Sequence, residues 1–166
     1  MVIKGKAHRF SDDVNTDYII SGRYKFKTLD MNELGRHVME DLDPGFHARL
    51  EKGDFLVAGK NFGCGSSREQ APLALKAAGV AAVLAESFAR IYFRNSINNG
   101  LPALVCDTSQ IADGDQLEID LESGTISDVA SGATVESSPL SGVMVDILSE
   151  GGLVEYIKKH GGLVTE

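Results

Sequence analysis

Apolar residues fall into short blocks separated by polar and Gly-rich stretches, and the spacing inside each block predicts its element. Phe55-Leu56-Val57-Ala58, Val80 to Ala85 and Leu101 to Cys106 are continuous apolar runs, long enough for buried strands and too short for helices. Ser66 to Ala78 carries Ala71, Leu73, Ala74, Leu75, Ala77 and Ala78 and is stopped by Gly79, as a helix would be. Ser87 to Asn98 has Phe88, Ile91, Tyr92 and Ile97 on or near one helical face, and Asn98-Asn99-Gly100 ends it. Strand, helix, strand, helix, strand from Asp54 to Cys106 predicts a mainly parallel sheet. Beyond Asp107 the pattern changes. Gln116 to Leu121 alternates strictly and Thr125-Ile126-Ser127 can pair with it, so residues 115–138 form a smaller antiparallel portion. Gly142 to Glu150 and Gly152 to His160 read as two closing helices.

The first third is less regular. Lys4 to Phe10 reads as a short strand and Ser11 to Asp17 as a polar loop, followed by the apolar island Tyr18-Ile19-Ile20. Tyr24 to Asp30 mixes aromatic and cationic residues without helical period and reads as an exposed loop. Asp30 caps a predicted helix over Met31 to Glu40, with Glu33 in the capping-box position, and Asp43-Pro44-Gly45 breaks it. The fold class is therefore α/β, and its 166 residues are expected to form one domain, 1–166.

Composition narrows the function classes. A net charge of −8 argues against a general nucleic-acid binder, and it obliges any anionic substrate to be held by a local cluster of donors and cations. No apolar run reaches the roughly 18 residues of a membrane span, and Met1 to Lys6 has no signal-peptide apolar region, so a cytoplasmic location is expected. Two cysteines, Cys64 and Cys106, are too few for a four-cysteine iron–sulfur site, and His8, His37, His47 and His160 show no metal-ligand spacing. No metal site is expected on this chain.

The chemistry concentrates in Gly59-Lys60-Asn61-Phe62-Gly63-Cys64-Gly65-Ser66-Ser67-Arg68-Glu69. A strand, a Gly-rich turn and a helix start make an anion site, because N–H groups and the helix dipole face the ligand there. Ser66 and Ser67 can cap the helix and Arg68 can fork onto a carboxylate. The plain alternative is a helix cap with a surface arginine. No Lys-Ser or Lys-Thr follows the last glycine, and the spacing is not G-x-G-x-x-G, so the segment is neither a Walker A loop nor a Rossmann fingerprint. Asn15-Thr16-Asp17 is a turn by default, with Asp17 able to orient an arginine or meet substrate. Arg90 and Arg94 share a helix face and can reach a carboxylate or pair with Asp17 or Glu86.

These segments, together with Ala85-Glu86-Ser87-Phe88-Ala89-Arg90-Ile91-Tyr92-Phe93-Arg94-Asn95, resemble the small subunit of 3-isopropylmalate dehydratase, in the superfamily of the aconitase swivelling domain. The resemblance runs along essentially the whole chain and implies a swivelling-domain β/β/α fold. It implies a hydro-lyase that dehydrates and rehydrates a hydroxy di- or tricarboxylate, active only with a large subunit that holds a [4Fe–4S] cluster. By position Ser66 matches the catalytic base, Ser67 and Arg68 the substrate-binding pair, and Asp17 an active-site aspartate. In relatives the loop after Asn15-Thr16-Asp17 reads the substituent that varies between substrates. Here it carries Lys25, Phe26 and Lys27, with Phe26 suited to an alkyl group and Lys27 to a distal carboxylate. The expected substrate is isopropylmalate, on the route to leucine. Homoaconitate and 2,3-dimethylmalate stand as alternatives, and a stand-alone carboxylate-binding module is the alternative of another class.

Overall fold

A computed structural model describes residues 1–163, the Lys25 side chain excepted. The chain runs β1 (Val2–Arg9), α1 (Thr16–Ile19), α2 (Gly22–Lys25), α3 (Met31–Gly35), α4 (Phe46–Arg49), β2 (Phe55–Val57), α5 (Gln70–Ala78), β3 (Ala82–Ala85), α6 (Arg90–Asn98) and β4 (Ala103–Val105). A 3-10 turn (Thr108–Gln110) leads to β5 (Gln116–Asp120), β6 (Thr125–Asp128), β7 (Thr134–Glu136), α7 (Gly142–Ser149) and α8 (Leu153–His160).

The strands form one seven-stranded sheet in the order β4-β3-β2-β1-β5-β6-β7. The pairs β1–β2, β2–β3 and β3–β4 are parallel, in the register Ala7 to Phe55, Phe55 to Ala82 and Val83 to Ala103. The antiparallel portion, β5–β6–β7, continues onto the other edge of β1. Strand side chains alternate, and the short apolar runs divide accordingly between two cores. Leu56, Val83 and Ala85 face a core shared with α1, α3 and α5. Phe55, Val57, Ala82 and Leu84 face a second core with Leu104, Leu117 and Ile119. Burial on both faces explains why these strands read as continuous apolar blocks. α7 and α8 close the β4 edge over Ile97 and Ala103 through Ile147, Leu148 and Tyr156.

Three local expectations change. The helix expected over 31–40 ends at Gly35, which packs closely on α5: a Cβ there would lie 3.0 Å from Ala78 N. The chain then bends through Met39, at φ 59°, whose N–H donates to Ile19 O at 2.9 Å. Glu33 does not close a capping box: it pairs with Arg36 at 3.2 Å, while Asp30 N donates to Thr28 Oγ1. The stretch read as a loop from Tyr24 begins inside α2, and Tyr24 itself turns inward, stacked on His37 at 3.8 Å and donating to Glu40 at 3.1 Å. Finally, α5 starts at Gln70 and not at Ser66. The Ser66 carbonyl, which would accept the Gln70 N–H in a longer helix, is taken by Thr16 Oγ1 at 2.9 Å. Neither Ser66 nor Ser67 caps the helix, whose N-cap position is Glu69 without a side-chain bond.

Candidate active site

Three consecutive loops, after the carboxyl ends of β1, β2 and β3, converge on one cavity of about 260 Å³. Ligands in open α/β sheets bind at this end of the strands. The first loop delivers Thr16, the second Gly63, Gly65, Ser66, Ser67 and Arg68, and the third Ala89, Arg90, Ile91 and Tyr92.

Hydrogen bonds lock the loops together. Gly63 N donates to Val14 O at 2.8 Å, and Thr16 N donates to Cys64 O at 2.9 Å. Asn61, at φ 59°, donates its side-chain amide to Asp13 at 3.0 Å and its N–H to Ser87 Oγ at 2.8 Å. Phe62 N donates to Ser87 O and Ala89 N to Phe62 O, so the second and third loops pair as a short parallel bridge. The glycines are required by close approach as well as by backbone angle. A Cβ on Gly63, at φ 82°, would lie 2.2 Å from Tyr92 Cγ, and one on Gly65, at φ 90°, 2.5 Å from the Asn15 amide. Beneath them Phe62 meets Tyr92 edge-on at 5.2 Å, with Phe88 stacked 6.1 Å from Tyr92. Burial pushes the Tyr92 hydroxyl upward in pKa, more than nearby Ser96 lowers it, so it stays neutral. Tyr92 forms a wall of the cavity.

The turn presents its functional groups to the cavity without engaging them. Ser66 and Ser67 are exposed, and among the described residues neither hydroxyl has a hydrogen-bond partner. Arg68 and Asp17 meet at 2.6 Å between Nη1 and Oδ1. Nη1 is buried yet makes no aligned hydrogen bond, so the contact is a charge pair that leaves donor directions of the guanidinium unused. Arg90 has no ion pair among the described residues, so in a chain of net charge −8 the cavity is bordered by two arginines. Such a site suits a small carboxylate held by a forked cation and a hydroxyl.

The structure thus brings Ser66, Ser67 and Arg68 together, with Asp17 bonded to Arg68 at their edge. It does not bring Phe26 and Lys27 to the cavity: both side chains are exposed, Phe26 by 82%, on the turn after α2. The Lys25 side chain lies outside what is described. Thr16, Ile91 and Tyr92 also line the cavity without a site role expected from sequence, as does Arg90, for which pairing and carboxylate binding both stood open; their signals lie in Asn15-Thr16-Asp17 and in Ala85 to Asn95. Two thiols flank the region without forming a metal site. Burial raises the Cys64 thiol, and burial pushes Cys106 up to about 11, with Asp107 and Glu86 adding to it. Among the described residues no three His, Cys, Asp or Glu stand together to hold a metal ion, so the described residues do not offer the ligand set of an iron–sulfur cluster.

Residues 18–109 match the family described as Aconitase C-terminal domain. The chain is 55% identical to "3-isopropylmalate dehydratase small subunit 2" of Archaeoglobus fulgidus over 98% of this chain and 99% of that protein. It is 51% identical to "Methanogen homoaconitase small subunit" of Methanothermobacter thermautotrophicus over 95% of this chain and 92% of that one. Its backbone matches a crystal structure of 3-isopropylmalate dehydratase from Methanocaldococcus jannaschii, with a TM-score of 0.92 and 48% identity, covering 97% of this chain and 96% of the other.

Proposed function

The chain belongs to the small-subunit family of the 3-isopropylmalate dehydratases, within the Aconitase C-terminal domain, and on that premise we propose that it supplies half of the active site that interconverts 2- and 3-isopropylmalate in leucine biosynthesis. The observation that carries the reading is the Ser66–Arg68 turn, its hydroxyls unpartnered and its guanidinium only partly engaged by Asp17, at the edge of the cavity. The chain acts as a single swivelling unit over residues 1–166, in the cytoplasm. Among the described residues no helix is long and apolar enough to cross a membrane.

Dehydration removes a proton from carbon alpha to a carboxylate, and a serine is too weak a base for it unless its alkoxide is stabilised. Ser66 is the base in this reading. Arg68 clamps a substrate carboxylate and favours the charge that develops on Ser66, as preorganised donors do in a site that excludes water. Asp17 holds the guanidinium in place, and Ser67 donates to the substrate. The [4Fe–4S] cluster is assigned to the large subunit, and the roles proposed for this chain do not run through it. That subunit docks across the cavity mouth. Arg90 borders both the cavity and an apolar groove of about 510 Å³ formed with Phe88, Phe93, Arg94 and Met144. A partner that closes over the first meets the edge of the second at Arg90.

Substrate reading falls to Lys25, Phe26 and Lys27, which reach the substrate when the subunits close. A second reading, homoaconitase, is favoured by the exposed Lys27 and by the relative that bears that name. The two are separated by reconstituting the complex with its large subunit under anaerobic conditions and assaying isopropylmalate, homocitrate and 2,3-dimethylmalate. The highest kcat/KM is expected for isopropylmalate. Turnover of homocitrate alone would transfer the chain to homoaconitase, and a loaded complex inert to all three would leave a carboxylate-binding module.

A further inference from the structure

Thr16 is 1% exposed, and it grips the Gly-rich turn at two carbonyls. Its N–H donates to Cys64 O at 2.9 Å and its Oγ1 donates to Ser66 O at 2.9 Å. In a planar trans peptide the N–H points opposite to the C=O of the preceding residue. Fixing the Cys64 carbonyl therefore aims the Gly65 N–H away from Thr16, and fixing the Ser66 carbonyl aims the Ser67 N–H the same way. Neither N–H meets an acceptor among the described residues, and the turn's bonds to Thr16 run through its carbonyls. Gly65 and Ser67 both line the cavity. Unpaired N–H groups two positions apart, aimed to one side, form a concave pair of donors for an oxyanion.

We infer that Thr16 is a positioning residue, which aims the Gly65 and Ser67 N–H groups at a carboxylate or alkoxide oxygen in the cavity. The inference deepens the proposed function and rests on it for the reaction, though not for the binding of a carboxylate. The two grips are chemically separate. A valine at this position keeps the backbone bond to Cys64 and the shape of the side chain but loses the bond to Ser66. It releases the Ser67 N–H and leaves the Gly65 N–H aimed. A serine retains both.

The test uses the full chain and its complex with the large subunit. In the full chain, labelled with nitrogen-15 and titrated with malate, the Gly65 and Ser67 amide resonances are expected to move together. In Thr16→Val the Ser67 response is lost and the Gly65 response remains, whereas in Thr16→Ser both are retained. In the complex, Thr16→Val lowers kcat about 10²-fold, the scale of a misplaced catalytic group, with a smaller change in KM, and Thr16→Ser restores it. General loosening of the turn would abolish both amide responses at once. That result, a Thr16→Val variant that titrates like wild type, or wild-type amides indifferent to malate would each overturn the inference. Amides that respond in a chain whose wild-type complex turns over no isopropylmalate would sink the proposed function and leave the inference standing.

Discussion

Arg68 Nη1 and Asp17 Oδ1 meet at 2.6 Å without an aligned hydrogen bond, whereas His8 and Asp54 form a fully engaged pair. The contrast separates a side chain held ready from one that holds structure. His8 Nε2 donates to Asp54 at 2.7 Å, and Asp54 also accepts from Lys6 N and Glu51 N at 3.0 Å each. Burial by itself would raise the Asp54 carboxyl. The His8 and backbone bonds together outweigh it and leave the carboxyl below its ordinary 3.8. A depressed carboxylate stabilises the fold above the unfolded value and loses that contribution as pH falls through the folded one. Asp54→Asn is therefore expected to cost about 3 kcal/mol near neutral pH, the scale for removing one partner of a buried pair. The deficit should shrink below pH 3.8, where the wild-type carboxyl also becomes protonated. Chemical denaturation at neutral and acid pH measures both, and a deficit independent of pH would contradict the assignment. Nothing in the sequence pairs His8 with Asp54, because only the register of β1 on β2 brings them together. Ser66 and Arg68, by contrast, stand in one short glycine-rich run and were legible there.

At the scale of elements, the strands and the two closing helices agree closely with the sequence pattern, whereas the helix starts near the site and the helix from Met31 do not. Strand pattern follows burial, continuous where both faces are covered as in β3 and alternating where one is open as in β5, and the sequence displays both. Helix starts near the site are set by tertiary bonds instead, and the Thr16 hydroxyl on the Ser66 carbonyl shortens α5 by a turn. The same competition fixes the glycines. Gly63 and Gly114 both have positive φ, 82° and 89°, but only Gly63 faces an obstruction, Tyr92 Cγ at 2.2 Å from a built Cβ. Gly114→Ala is expected to cost about 1 kcal/mol, for backbone strain alone. Gly63→Ala is expected to cost about 3 kcal/mol or more, or roughly 6–12 °C in Tm for a chain of this length. Thermal unfolding of the two variants distinguishes them, and equal losses would show that the glycine turn does not rest on the aromatic wall.

Across the whole molecule, the α/β class was written in the apolar blocks, but the meeting of three loops was not. β1 lies in the middle of the sheet, between its parallel and antiparallel portions, and this brings the first loop beside the second. That placement makes Thr16 a neighbour of Ser66 and sets Arg90 and Ile91 across the cavity, which no local pattern announces. The resulting site is one-sided. It presents the Arg68 guanidinium, the Ser66 and Ser67 hydroxyls and an open rim with Ile91 51% exposed, and no metal-ligand cluster among the described residues. The central claim is that Ser66 is the base of a reaction completed by a second subunit. Turnover of isopropylmalate by the complex reconstituted with Ser66→Ala tests it most directly, with subunit association and cluster absorbance followed alongside. Association and absorbance are expected as in wild type, with kcat lower by about 10²–10⁴-fold, the range for loss of a general base. Turnover near the wild-type rate in that intact complex would contradict it.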